Sequence, residues 1–217
     1  DHRFRYALVE MEDFNKDGDG SVTALAVDPK TGSWRKLNVV SSGGAVPAHL
    51  SVHHSGRYVL VANYIGGCVA VLPSPADGSL VEATDVVHNT GPRQPERAAD
   101  NPQGNFAVSD HSGSHPHMIH SDPSGRYVLA DDAGLDRVYV WTLNLQTGKL
   151  VPAKTPYYDM EPGCAPRHFQ FNHSGRILYN LCEQNSKIVV SNFDPDTGAI
   201  NNIQTVSTVT SHRSEET

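Results

Sequence analysis

Three copies of a Ser-Gly-Arg turn occur in the chain, around Gly56, Gly125 and Gly175, and eight residues before each glycine stand Ala48, His117 and Arg167. A pure repeat would keep one residue type at such a slot. Here it holds a small residue, an imidazole and a guanidinium, so chemistry has been laid over a repeating scaffold. Glu183 follows Arg167 in the segment Tyr-Asn-Leu-Cys-Glu-Gln-Asn. His and Glu are the residues that take and give protons near neutral pH. Arg is a fixed donor fork for an oxyanion, a carboxylate or a phosphate. The trio His117, Arg167 and Glu183 is therefore the candidate catalytic set. His117 and Arg167 should stand side by side in neighbouring units, where the guanidinium opposes protonation of the imidazole. His115, His168 and Asn185 are the candidate substrate contacts. His168 also matches His49 in its own copy, and recurrence at a repeat position favours a structural role, such as a backbone hydrogen bond inside the unit.

Two other groups suggest metals. His115, His117 and His120 lie in the run His-Pro-His-Met-Ile-His. In a strand, 115 and 117 share a face and 120 points away, which falls short of a zinc set. Residues 13–20, Asp-Phe-Asn-Lys-Asp-Gly-Asp-Gly, follow a calcium loop as far as its eighth position, but the twelfth is Ala24 where a bidentate Glu is needed. An acidic hairpin loop is the expectation, with no metal and no cofactor.

The elements that must hold these residues come from the repeat. The Ser-Gly-Arg glycines are spaced by 69 and 50 residues. A second series, Gly32, Gly78, Gly148 and Gly198 in Thr-Gly-like turns, is spaced by 46, 70 and 50. The two series share a register, so the unit is 46–50 residues long, with about 20 extra residues between Gly78 and Gly125. That excess is placed at 89–114, a polar, Pro- and Gly-rich segment that reads either as a surface excursion or as a lid. Each unit reads as four short β-branched and aromatic strands joined by glycine turns, which is the pattern of a propeller blade. A β-sandwich with fortuitously similar hairpins is the competing architecture. Units are expected at about 4–44, 45–88, 115–163 and 165–209, followed by a polar tail, 210–217. The first lacks its innermost strand. That is fewer than a closed ring needs, so closure requires further blades or a second chain.

Several strings, including GSVTALAVDPKTG, HHSGRYVLVANYIGGCVAVLP, DPSGRYVLADDAGLDRVYVW and PGCAPRHFQFNHSGR, resemble the lactonase family of seven-bladed β-propellers, whose members include 6-phosphogluconolactonases and fungal carboxymuconate-lactonising enzymes. The resemblance implies an all-β propeller and a hydrolase acting on a sugar lactone or related anionic lactone. Ring closure to a lactone, and a non-catalytic binding or assembly module, are the alternatives. It also implies His, Arg and Glu arranged like His117, Arg167 and Glu183, with a further Arg in a later blade.

Composition narrows the partners. Lys and Arg total 17 against 24 Asp and Glu, a net charge of −7, with no basic run, so neither a nucleic acid nor a membrane surface is expected. Three cysteines without a Cys-x-x-Cys pair argue against a disulfide framework. The N-terminal residues show no secretory h-region. The expected compartment is the cytoplasm, with the periplasm or secretion left open, and the expected partner is a small lactone.

Overall fold

The computed structural model describes residues 3–102, 105 and 107–209. The tail at 210–217 lies outside the described residues. All regular structure among the described residues is β-strand, arranged as one three-stranded and three four-stranded antiparallel sheets. The first sheet contains β1 (Phe4–Val9), β2 (Ser21–Val27) and β3 (Trp34–Ser41). The second contains β4 (Pro47–Val52), β5 (Tyr58–Asn63), β6 (Cys68–Pro73) and β7 (Asp85–His88). The third contains β8 (Pro116–Ser121), β9 (Tyr127–Asp132), β10 (Arg137–Asn144) and β11 (Lys149–Asp159). The fourth contains β12 (Pro166–Phe171), β13 (Ile177–Cys182), β14 (Lys187–Phe193) and β15 (Ile200–Ser207). Strands pair in sequence order within each sheet. These are up-and-down propeller blades, not the shuffled order of a Greek-key sandwich.

The turn glycines adopt the left-handed conformation the sequence requires: φ is 72° at Gly125 and 69° at Gly148. A Cβ at Gly148 would also lie 2.3 Å from Thr84 Oγ1 of the preceding blade, so this position is closed to any side chain.

Burial follows the neighbours each blade has. β5 (Tyr-Val-Leu-Val-Ala-Asn) and β9 (Tyr-Val-Leu-Ala-Asp-Asp) are buried at every position, because a blade packs on each face and both sides of the pleat must be apolar or internally paired. In β13 the buried residues Leu178, Asn180 and Cys182 alternate with more accessible ones, since only one face is covered by another blade. Three hydrophobic cores sit between successive sheets. Val22, Val40, Val61 and Leu72 join the first two. Leu60, Val71, Ile119 and Trp141 join the next two. Met118, Leu129, Phe169 and Phe193 join the last two. On the far face of the fourth blade, Leu181, Ile188 and Val206 stand in one cross-strand row.

The acidic loop between β1 and β2 closes on itself. Asn15 Oδ1 accepts from the main-chain N–H of Asp17 and Asp19, and Asn15 Nδ2 donates to Asp19 Oδ2. The 89–114 segment carries no strand among its described residues and is fastened to the third and fourth blades. Asn89 Nδ2 donates to Asp132 Oδ2 at 2.9 Å, Tyr139 Oη donates to Thr90 O at 2.8 Å, and Lys187 Nζ pairs with Asp100.

Candidate active site

The innermost strands of three blades share one irregularity. Their registers slip between Pro47 and His49, between Pro116 and Met118, and between Pro166 and His168. Each slip is a β-bulge that leaves Ala48, His117 or Arg167 as the extra, unpaired residue. The slot that diverges in sequence is thus the one position of the strand released from the ladder. A proline precedes it every time, at 47, 116 and 166. Proline inside a strand marks an edge or a bulge, so the irregularity was signalled in the sequence.

The released side chains meet. Arg167 Nε donates to His117 Nε2 at 3.0 Å and lies 2.8 Å from Glu183 Oε2. Among the described residues, neither terminal nitrogen of Arg167 has a hydrogen-bond partner, and the side chain is 43 % exposed. Glu183 Oε1 accepts from Ser109 Oγ at 2.6 Å. The trio opens on a cleft of about 420 Å³ lined also by Glu10, Val46, Ala48, Tyr64 and His168. A neighbouring hollow of about 480 Å³ is bounded mainly by apolar residues such as Phe169, Tyr179, Leu181 and Ile188, and lacks the Arg and Glu.

Burial, reinforced by the charge of Arg167, pushes the His117 imidazole down to about 4. The bond from Arg167 Nε requires the same state, because Nε2 accepts only when it carries no proton. His117 is therefore a neutral imidazole. Burial and then Arg167 also lower His168, whose ring stands edge-on to that of His117 with centroids 5.1 Å apart. Burial raises the Tyr64 phenol, so all three aromatic groups of the cleft are uncharged near neutrality.

The other expected contacts divide. His168 lines the cleft. His115 does not: its Nδ1 lies 2.8 Å from Tyr64 O, its Nε2 lies 3.3 Å from Asp110 Oδ2, and its ring packs on Tyr64. Asn185 is also withdrawn, buried with Nδ2 donating to Glu161 Oε2 at 3.2 Å. The structural role read from the recurrence of His49 and His168 needs a change of place. His49 Nδ1 accepts from Ile119 N of the next blade, at 3.5 Å, and at the equivalent slot Met118 Sδ accepts from Phe169 N. The contact runs between blades, not within one, because the innermost strand pairs on one side only and every second main-chain N–H faces away from its ladder.

Glu10, Val46 and Tyr64 on the cleft wall, and Ser109 behind Glu183, escaped the reading of the sequence. Tyr64 stands eight residues after Gly56, as Glu183 does after Gly175, so the same register counting would have found it. Ser109 lies in the insertion, outside every repeat, and no sequence signal points to it. Among the described residues no group of three or more His, Cys, Asp or Glu could hold a metal ion.

The full sequence, residues 1–217, matches the family described as Lactonase, 7-bladed beta-propeller. It is 31% identical over 193 residues to the 6-phosphogluconolactonase of Bacillus subtilis, covering 89% of this chain and 50% of that protein. Among solved structures, the periplasmic gluconolactonase of Pseudomonas aeruginosa superimposes with a TM-score of 0.79 at 27% identity, over 97% of this chain and 56% of the other. A protein from Lactobacillus plantarum gives 0.77 at 28% identity, over 97% and 54%. The chain spans about half the length of the curated relatives it matches. With this match and the bladed architecture together, the chain belongs to the lactonase family of seven-bladed β-propellers.

Proposed function

We infer that the chain forms the His–Arg–Glu wall of a lactone hydrolase that opens a sugar lactone or a related anionic lactone. The observation that carries this reading is Arg167, anchored through Nε to His117 and Glu183 while its terminal nitrogens remain free towards the cleft. A guanidinium held this way presents two parallel N–H groups to a carbonyl oxygen, where negative charge develops as water adds. As water binds, the Nε–H of Arg167 turns from His117 to Glu183 Oε2, 2.8 Å away, so the lone pair on His117 Nε2 is released while the terminal nitrogens hold the substrate oxygen. His117 Nε2 then takes a proton from the attacking water, and the hydroxide oxygen bonds to the lactone carbon. The carbonyl electron pair moves onto the oxygen held by Arg167. Collapse of this adduct breaks the ring carbon–oxygen bond, and the departing oxygen takes the proton back from the imidazolium. Glu183 keeps the guanidinium in place and balances its charge. His168 and Tyr64 border the bound ring.

The names of the Bacillus and Pseudomonas relatives support a sugar lactone as the substrate class. Three buried free cysteines fit a reducing compartment and support a cytoplasmic location. No described helix is long and apolar enough to cross a membrane. The test is hydrolysis of glucono-1,5-lactone and of its 6-phosphate by the whole protein, followed by proton release. Turnover of either at a rate abolished by Arg167→Ala supports the reading, and hydrolysis of neither overturns it.

A further inference from the structure

We propose that Ser109, contributed by the 89–114 insertion, is a positioning residue that fixes the carboxylate plane of Glu183. The catalytic part of this inference rests on the lactone-hydrolase reading above. Ser109 Oγ donates to Glu183 Oε1 at 2.6 Å, while Glu183 Oε2 lies 2.8 Å from Arg167 Nε. A carboxylate held at one oxygen still rotates about that contact. Held at both, it has one orientation, and the guanidinium it faces inherits that orientation.

Ser109 is itself clamped. It is buried, its main-chain N–H donates to Gln184 Oε1 at 2.7 Å, and its carbonyl lies 3.1 Å from His111 Nδ1. His111 Nε2 lies 3.3 Å from Asp136 Oδ1. A carbonyl and a carboxylate only accept, so His111 makes both bonds at once only as an imidazolium. Burial opposes that charge, yet the bond and charge of Asp136, with the Ser109 carbonyl and Asp110, together outweigh it, and the net shift of His111 is upward. Asp136 also accepts from the main-chain N–H of Gly163 and, at 2.7 Å, of Ala165, two residues before Arg167. One buried carboxylate thus secures both the strand entry that delivers Arg167 and the clamp that delivers Ser109. Asn105 Nδ2 bonds Gln184 O and Ser186 Oγ, and Gln184 Nε2 bonds Glu96 O, so the insertion is tied to the very turn that bears Glu183.

The experiment compares S109A, S109C and S109T in the whole protein, with glucono-1,5-lactone and its 6-phosphate as probes. Losing one hydrogen bond to a charged group should lower kcat about tenfold in S109A while KM and Tm stay close to wild type. S109T, which keeps the hydroxyl, should restore most of the rate, and S109C, a weaker donor of similar size, should fall between. An unchanged kcat in S109A, or an S109T as slow as S109A, overturns the proposal. If the wild type opens neither lactone, the hydrolase reading fails separately. The crystal structure of S109A then decides: a Glu183 carboxylate turned away from Arg167 supports the positioning role, and an unmoved one overturns it.

Discussion

Arg167 Nε donates to His117 Nε2 across 3.0 Å, and the two residues occupy the bulges of adjacent blades. The bond therefore spans a blade interface without drawing on either blade's ladder. It also sets the protonation state of the imidazole, because the nitrogen facing Arg167 is held as an acceptor.

From this bond, His117 should remain neutral from about pH 5 upward, despite the ordinary imidazole value of 6.5. Imidazole nitrogen resonances followed by NMR should show protonation only on approach to about 4. An imidazolium signal from His117 at pH 6.5 would show that burial and Arg167 do not govern it.

Arg167→Lys should lower lactone turnover by about tenfold or more, since a point charge does not replace a fork that bonds on two sides. His49→Gln perturbs the inter-blade bond to Ile119 N and should cost about 1 kcal/mol of stability with little change in turnover. Rates and melting temperatures of both variants check the contrast. An Arg167→Lys enzyme of full activity means that the site is misplaced.

The pH dependence of stability has two opposed parts. His49, pushed down by burial and by the neighbouring His168, and His117 both lie near 4 when folded against 6.5 ordinarily. Unfolding then takes up protons, and stability is lost as pH falls from about 6.5 towards 4. Asp131, wholly buried with Oδ1 bonded to Asn180 Nδ2, is raised by burial from 3.8 to about 8. Its folded form holds the proton, so its contribution is complete below about pH 3.8 and is lost progressively as pH rises to about 8. Asp131→Asn should flatten the fall in Tm between about pH 6.5 and 8 and steepen the acid limb, which Asp131 otherwise opposes. An alkaline limb identical to wild type would refute this assignment.

Calcium should leave the melting temperature unchanged. Asn15 already spends its side chain on Asp17 and Asp19 within the loop, and Ala24 stands where the bidentate ligand would be. A binding site saturated to a hundred times its Kd would add about 2.7 kcal/mol, an effect that calorimetry would register readily.

The isolated 217-residue polypeptide should self-associate. Leu181 and Val206, 38% and 42% exposed, flank Ile188 in an apolar row on the uncovered face of the fourth blade. Light scattering should show oligomers, and Leu181→Lys should reduce them. A monodisperse monomer that unfolds cooperatively is the contrary result.

The bladed architecture was legible because its determinants are local. Gly125 and Gly148 are needed by the turns they occupy whatever surrounds them. The meeting of His117 with Arg167 was legible because equal slots in successive blades become neighbours. Tyr64 was equally accessible to counting and was overlooked, since a tyrosine in a β-rich run reads as packing. His115 and Asn185 look like site residues by type, but their partners, the Tyr64 carbonyl and Glu161, belong to distant segments and draw them out of the cleft. Ser109 reaches Glu183 across 74 residues from a segment with no repeat, so no periodicity points to it.

The bulge that releases residue 48, 117 or 167 gives this scaffold interchangeable sockets. A side chain placed there carries no pairing duty, so its identity is free to change while the blade keeps its register. Ala48 is a socket of this kind, already on the cleft wall and occupied by the smallest side chain of the three. Selection or design can rewrite what the cleft recognises at that point without renegotiating how the blade folds.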